Sequence, residues 1–306
     1  MLRNCFITLF IFISVLTNGQ MLNDSPFNAN VAKPKFKQQN GPIMLFDVAH
    51  HNFIIEMGLA KPLMDMLISD GYRPRIDSVK FTKKYLDQFD IVVIMPAMPF
   101  KFGSKKQVTD EITFTTEELN ALYEWVTDGG SLLMLAEHAP IDKSVTPLFN
   151  KFGIQVSIGI VADSVNCEVS KSIPNRETLL NFTTENGLLN TLHPIIKGSN
   201  PSERIHTIET YGGAGLKGDD YINIFKLAPS SFVRKWNGAT PLGNVNSQCL
   251  AGKVGKGKVV ALGDCNGFTA MYVMSAGKKL PAGMHVAGYD WKQFVLNTFH
   301  WLTSKQ

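Results

Sequence analysis

The sequence predicts an α/β fold built on a doubly wound, mostly parallel β-sheet with an elaborated second half. Short, nearly continuous apolar runs recur at 43–48, 90–95 and 131–136, as expected for strands buried on both faces. Segments with apolar residues at helical spacing lie between these runs. Alternating strands and helices imply right-handed crossovers, which place helices on both faces of one sheet.

Composition limits the classes of function. The chain has 306 residues, of which 44% are hydrophobic and 18% charged, an ordinary globular composition. The formal net charge is +4 and the lysines are scattered, whereas nucleic-acid binding needs a clustered basic face. A nucleic-acid partner is therefore not expected. Three cysteines follow residue 20, and an odd number cannot pair completely, so the chain is not a disulfide scaffold.

The N-terminus has the pattern of a secretory signal peptide over residues 1–20. Arg3 precedes an apolar run at 5–16, and small and polar residues follow at 17–20. The run is short for a membrane-spanning helix, and a retained anchor is the alternative. We expect an exported protein, periplasmic or secreted, that is not inserted in a membrane once the signal is removed. Residues 21–40, rich in Asn, Gln, Lys and Pro, are predicted to form a disordered leader.

A single domain is predicted over residues 41–306, beginning with regular alternation of strands and helices. The run at 43–48 predicts the first buried strand, and apolar spacing at 58–69 predicts a helix. Further strands are predicted at 72–79 and 90–95. These segments supply the strand–helix–strand units of the parallel sheet.

The next helix carries a start signal and a stop signal. Thr115 and Glu118 have the spacing of a capping box, in which each side chain bonds the other residue's backbone N–H. Asp128, Gly129 and Gly130 end the helix before the buried strand at 131–136.

Beyond residue 154 the pattern is less regular. Strand-like pieces joined by Gly- and Pro-containing loops are predicted at 154–160, 205–210, 221–227 and 244–251. The turn at 252–257 and the buried run at 258–263 predict a hairpin that returns the chain into the main sheet. A terminal helix is predicted at 290–302.

Ionisable residues follow three of the predicted buried strands. They are Asp47 and His50 after the first strand, Glu137 and His138 after the strand at 131–136, and Asp264 after the strand at 258–263. Ligands of open α/β sheets bind at the carboxyl ends of the strands. We therefore predict a site in which Asp47 and Glu137 are acid–base or metal-binding groups, assisted by His50, His138 and Asp264.

Each of these residues also has a structural interpretation. Asp47 and Asp264 could cap the turns that follow them. His50 and His51 are adjacent, so both side chains face one point only if the backbone there is irregular. His193 is a further candidate, although a single histidine in a loop is more often structural.

Two motifs resemble catalytic signatures. Residues 263–267 match the G-x-C-x-G form of a nucleophile elbow, with Cys265 as nucleophile and His285 as its one obvious partner; a buried structural thiol is the alternative. The glycine-rich segment 212–215 lacks the Lys and Ser/Thr of a phosphate-binding loop, so it predicts a close-packed turn. No HExxH or CxxC signature is present, so no spaced motif supports a metal site. A divalent metal bound by the strand-end residues is an open alternative.

Several segments together resemble a known group of proteins. They are 45–52, 114–140, 193–195, 255–264 and 297–302. On these segments the chain resembles uncharacterised exported bacterial proteins with the class I glutamine amidotransferase-like fold, which implies a flavodoxin-like sheet. Related domains occur in gliding-motility and intraflagellar-transport proteins, where the resemblance implies binding or scaffolding. Amidotransferases place a cysteine elbow where this chain has Glu137 and His138, so glutamine hydrolysis is not expected.

Two functions are consistent with these features. The first is a hydrolase or lyase acting on a small polar or carbohydrate substrate at the strand ends. The second is a non-catalytic glycan- or partner-binding module, in which Trp236 or Tyr211 would offer a stacking surface.

Overall fold

The computed structural model describes residues 21–24, 26–104, 112–138, 141–169, 176–235, 238–275 and 278–304. The helices are α1 (Phe53–Glu56), α2 (Lys61–Ser69), α3 (Lys83–Leu86), α4 (Thr116–Thr127), α5 (Ile141–Lys151), α6 (Pro194–Lys197) and α7 (Trp291–Leu302). The predicted signal peptide lies outside the described residues. None of the helices in the described part of the chain is long and apolar enough to cross a membrane.

In the described residues, the strands form one large sheet and three small ones. In chain order they are β1 (Met21–Asn23), β2 (Ile43–Asp47), β3 (Arg73–Asp77), β4 (Ile91–Ile94), β5 (Ser131–Leu135), β6 (Gln155–Val156), β7 (Ile160–Asp163), β8 (Leu179–Thr183), β9 (Thr207–Tyr211), β10 (Leu216–Lys217), β11 (Ile222–Lys226), β12 (Ser231–Lys235), β13 (Gly238–Pro241), β14 (Ser247–Val254), β15 (Gly257–Leu262), β16 (Ala270–Ser275) and β17 (Lys278–Gly283).

The large sheet has nine strands, in the order β3-β2-β4-β5-β15-β14-β10-β6, with β11 also paired to β14. The strands from β3 to β15 along this order are parallel, and the remaining pairs are antiparallel. The predicted α/β class is therefore confirmed. The predicted hairpin is also present, because β14 pairs antiparallel with β15, which lies parallel to β5.

Consecutive residues of the central strands contribute to two apolar layers. Phe46 of β2 belongs to one layer and Leu45 to the other. Phe294 of α7 packs in the first layer, and Trp125 of α4 packs in the second. The apolar runs are continuous because both faces of these strands are covered.

The predicted capping box of α4 is present. The Thr115 hydroxyl accepts a bond from the Glu118 N–H at 3.2 Å, and the Thr115 N–H donates to Oε2 of Glu118 at 3.0 Å. This fixes the start of α4 and the position of the Glu118 carboxylate, whose other oxygen lies 3.0 Å from Nε2 of His50.

The segment expected to be a disordered leader differs from that expectation in the described residues. Strand β1 pairs antiparallel with β16. The ring of Phe36 packs against Tyr72 with centroids 5.0 Å apart, and the Lys35 N–H donates to Oδ1 of Asp70 at 2.7 Å. The composition is polar, but a few apolar residues are sufficient to attach the segment to the core.

Helix α5 and the β16–β17 hairpin are two of the elements that the sequence did not predict. Helix α5 contains Pro147. Proline disfavours the interior of a helix, so the local sequence does not predict one here. The β16–β17 hairpin is the second, and β16 also pairs with β1 at the opposite end of the chain. Both elements depend on tertiary contacts that local periodicity does not report.

Candidate functional site

The predicted site residues lie at the carboxyl edge of the parallel strands, in two groups. The His50 group consists of Asp47, His50, Asn52 and Glu118. The Glu137 group consists of Glu137, His138, Asp264, Cys265 and Asn266. The structure therefore brings together three of the predicted residues, Glu137, His138 and Asp264, and places Asp47 and His50 in a separate hydrogen-bonded group.

His50 is buried between two carboxylates. Its Nδ1 lies 2.9 Å from Oδ2 of Asp47, and its Nε2 lies 3.0 Å from Oε1 of Glu118. The ring is also flanked by Phe81 and Phe114, with centroids 4.6 and 4.2 Å away. Ionised carboxylates only accept hydrogen bonds, so this geometry favours the form of the imidazole in which both ring nitrogens donate.

The electrostatics of Glu118 agree with a charged His50. Burial raises the pKa of Glu118, but the Thr115 N–H and the positive charge of His50 outweigh burial and leave the pKa below its usual value. Lys80 lies 3.8 Å from the same carboxylate. The group is thus a buried network of ion pairs.

Asn52 completes this network. Its Nδ2 donates to Oδ2 of Asp47 at 2.6 Å, and its Oδ1 accepts from the Met95 N–H at 2.5 Å. The contact ties the end of β2 to the end of β4. With both nitrogens of His50 occupied and the ring buried, the geometry supports a structural role for Asp47 and His50, which had been predicted as catalytic.

Glu137 is buried just beyond β5 and accepts three hydrogen bonds. Cys265 Sγ and Asn266 Nδ2 donate to its Oε2 at 3.0 and 2.9 Å. The His138 N–H donates to its Oε1 at 2.9 Å. The imidazole Nε2 of His138 lies 3.7 Å from the same oxygen, and this side chain is 41% exposed. His138 is therefore the member of the group whose ring a ligand can reach.

Asp264 is buried at the end of β15. Its Oδ2 accepts from the Tyr211 N–H at 2.5 Å, and its Oδ1 accepts from Asn266 N and Nδ2 at 2.7 and 2.8 Å. Burial and the neighbouring charge of Glu137 raise the pKa of Asp264. The carboxyl group organises the turn after β15 and retains its proton to a higher pH than an ordinary aspartate.

The geometry around Cys265 does not fit a nucleophile elbow. The thiol is buried and donates to Glu137. Burial and the charges of Glu137 and Asp264 raise its pKa well above the usual value, whereas a nucleophile needs a lowered pKa. His285 instead packs on the ring of Tyr272, 4.8 Å away. This geometry supports the alternative interpretation, that Cys265 is a buried structural thiol.

We therefore expect Cys265 to be unreactive in the folded protein. Because a buried protonated thiol is a poor nucleophile, iodoacetamide at pH 8 should leave it unmodified for hours in buffer and alkylate it within minutes in urea. Peptide mass spectrometry would measure both rates. Rapid alkylation in buffer, with the protein still folded, would contradict the assignment.

A further buried carboxyl group, that of Glu209, lies near Asp264 of the Glu137 group and was not predicted. Tyr289 Oη donates to Oε2 of Glu209 at 2.9 Å. Burial raises the pKa of Glu209 to about 7, although the Tyr289 bond opposes the shift, and the carboxyl groups of Glu168 and Asp264 add to it. The one sequence signal was a charged residue within the predicted strand at 205–210.

This raised pKa predicts a pH dependence of stability. Well below pH 4.5 Glu209 is protonated in both the folded and the unfolded chain. The stabilisation that its raised pKa gives to the folded state is then fully present. As the pH rises to about 7 the unfolded chain loses the proton first, so stability is lost. We expect the difference in unfolding free energy between the wild type and Glu209→Gln to fall by about 2–3 kcal/mol over this interval. Urea denaturation at several pH values would measure it, and a constant difference would refute it.

The glycine-rich segment is a close-packed turn, as predicted. Gly213 has a φ of +68°, and an added Cβ would lie 2.5 Å from the Gly263 carbonyl oxygen. Only glycine allows β9 to pass so close to the end of β15. This approach brings the Tyr211 N–H to Asp264.

The remaining candidates from the sequence are His193, Trp236 and a metal site. Nδ1 of His193 accepts from the Ile195 N–H at 3.3 Å and caps α6, and burial lowers the pKa of His193 to about 4. Trp236 lies outside the described residues. Within the described ranges, no group of three or more His, Cys, Asp or Glu side chains is arranged to hold a metal ion.

A cleft of about 510 Å³ lies at the opposite edge of the sheet. Its polar groups already serve the fold: Asp90 accepts from the Ile43 N–H, Ser131 donates to the Leu302 carbonyl, and Lys258 donates to carbonyls at the end of α7. Ligand sites of such sheets lie at the carboxyl edge, so we place the candidate site there.

Comparison with known proteins supports the fold. No protein-family model and no curated protein matches the chain. The mmIFT52 N-terminal domain is similar in structure, with a TM-score of 0.57 and 16% identity over 86% of this chain and 98% of that one. A ThuA-like protein from Bacteroides uniformis has a TM-score of 0.45 and 13% identity over 92% and 96% of the two chains. The resemblance to intraflagellar-transport domains is thus confirmed for the fold alone.

Proposed function

We propose that this chain is an exported hydrolase or lyase that acts on a small polar substrate such as a carbohydrate. The observation that supports it is the pairing of His138 with Glu137. A partly exposed imidazole lies 3.7 Å from a buried carboxylate, at the edge of the sheet where ligands bind. An imidazole beside a carboxylate can carry protons to and from a substrate near neutral pH.

The remaining members of the site have supporting roles in this proposal. Glu137 orients His138 and stabilises its charged form. Asp264 and Glu209, whose pKa values are raised, stay partly neutral and limit the negative charge that faces a substrate. Asp47 and His50 hold the ends of β2 and α4 in place.

We also propose that the sheet has a flavodoxin-like topology and that the protein is exported. The order β3-β2-β4-β5-β15 of the parallel strands supports a flavodoxin-like, class I glutamine amidotransferase-like arrangement. The presence of Glu137 after β5, where amidotransferases have a cysteine, supports loss of glutamine hydrolysis. The apolar run at 5–16 supports export.

A non-catalytic binding module is the alternative, and one observation favours it. The oxygens of Glu137 and Asp264 already accept bonds from Cys265, Asn266, His138 and Tyr211. Carboxylates satisfied within the protein can serve the fold without chemistry, and the same architecture supports many functions.

A substrate screen distinguishes the two functions. The protein would be incubated with p-nitrophenyl glycosides, p-nitrophenyl esters and an oligosaccharide library, and products would be followed by absorbance and mass spectrometry. Turnover that disappears in Glu137→Gln supports the enzyme. Glycan binding by calorimetry that survives Glu137→Gln, without turnover of any compound, supports the binding module and refutes the enzyme.

A further inference from the structure

His51 differs from the adjacent His50 in its backbone conformation and in the exposure of its side chain. It has a φ of 44°, in the left-handed region that non-glycine residues rarely adopt. Its side chain is 40% exposed, whereas His50 is buried. The irregular backbone turns the two rings in different directions, one into the core and one to the surface at the carboxyl end of β2.

Glu56 holds the exposed ring. Its Oε1 lies 2.9 Å from Nδ1 of His51. Its Oε2 is buried and has no hydrogen-bond partner. Among the described residues, this is the one hydrogen bond that the His51 ring makes, and the side chain is 40% exposed, which leaves Nε2 available to a ligand. A carboxylate on one imidazole nitrogen fixes the tautomer, and it raises the basicity of the other nitrogen.

We infer that Glu56 and His51 form an acid–base pair at the end of β2, in addition to the His138–Glu137 pair, with His51 as its general base. Nδ1 keeps its proton towards Glu56, and the lone pair of Nε2 faces outward. Nε2 removes a proton from a substrate hydroxyl or a water molecule and then returns it to the leaving group. The ring thus ends in its original state, and the step needs no further reactant.

An exposed aromatic ring nearby indicates the class of substrate. Phe102 is 40% exposed and stacks on Phe53 with centroids 5.1 Å apart. Phe53 begins α1, the helix that carries Glu56. A flat apolar surface that packs on the first residue of α1, together with the outward-facing Nε2 of His51, suits a neutral molecule with an apolar face and hydroxyl groups, such as a sugar ring. The substrate class rests on the proposed function, but the reactivity of the pair does not.

Diethyl pyrocarbonate tests the pair without a substrate. An unprotonated imidazole nitrogen attacks the carbonyl carbon of the reagent and displaces ethyl carbonate, so the rate reports a basic, accessible nitrogen. Peptide mass spectrometry would follow His51, the exposed His206 and the buried His50 in the same sample at pH 8.5, because a carboxylate partner also favours the protonated ring, which does not react. We expect His51 to react about fivefold faster than His206, and His50 to remain unmodified.

Glu56→Gln supplies the control. It should slow His51 to about the rate of His206 and leave His206 unchanged, with an unaltered near-UV circular dichroism spectrum. If Glu56→Gln does not fold, the wild-type ratio of His51 to His206 decides the question. Equal rates in the wild type, or a folded Glu56→Gln with unchanged His51 reactivity, would overturn the inference. Fast labelling without turnover in the substrate screen would leave the pair standing and count against the proposed enzyme alone.

Discussion

We expect His50→Ala to lower the free energy of unfolding by about 3–5 kcal/mol, the cost of breaking a buried ion pair by removing one partner. The variant leaves the carboxylates of Asp47 and Glu118 facing each other without the imidazole whose nitrogens lie 2.9 and 3.0 Å from them in the wild type. It also removes the ring that packs between Phe81 and Phe114. Urea denaturation followed by circular dichroism at pH 7 measures the change.

The adjacent residue provides the matched control. His51→Asn removes the same side chain from a largely exposed position, and asparagine tolerates the left-handed backbone found there. Its effect should be below about 1 kcal/mol. Equal losses in the two variants would show that the buried ion network does not stabilise the fold as argued.

The second large effect concerns Glu137. For any substrate found by screening, Glu137→Gln should reduce kcat/KM by about 10²- to 10⁴-fold, the usual contribution of a positioned acid–base group. The amide keeps the size of the side chain, but its single oxygen can accept from only one of the two donors, Asn266 Nδ2 or the His138 N–H. It loses the negative charge 3.7 Å from the His138 ring, so the pH profile of kcat should shift along with its magnitude.

Glu124→Gln is the control for charge removal. Glu124 is exposed on α4, and its replacement should leave both kcat and KM unchanged. A Glu137→Gln variant with wild-type kcat and a normal pH profile would remove Glu137 and His138 from the chemistry. It would direct attention to the Glu56–His51 pair at the end of β2.

Local sequence was sufficient for the core of the sheet. The runs that became β2, β4, β5 and β15 are apolar because both of their faces are covered, and this burial leaves a direct trace in the sequence. The capping box at Thr115 and Glu118 uses contacts within one helical turn. The same local logic located Glu137, His138 and Asp264 at one edge, because parallel strands end on the same side.

The tertiary structure decided which of two adjacent histidines is buried and what each one contacts. His50 binds Glu118, which lies 68 residues away along the chain, and no local pattern encodes that distance. Glu209 and Tyr289 meet across 80 residues, and Cys265 reaches Glu137 across 128. Sequence therefore determined the residue types at the strand ends, whereas packing decided their charge states, their accessibility and their partners, because burial and neighbouring charges arise only when distant segments meet.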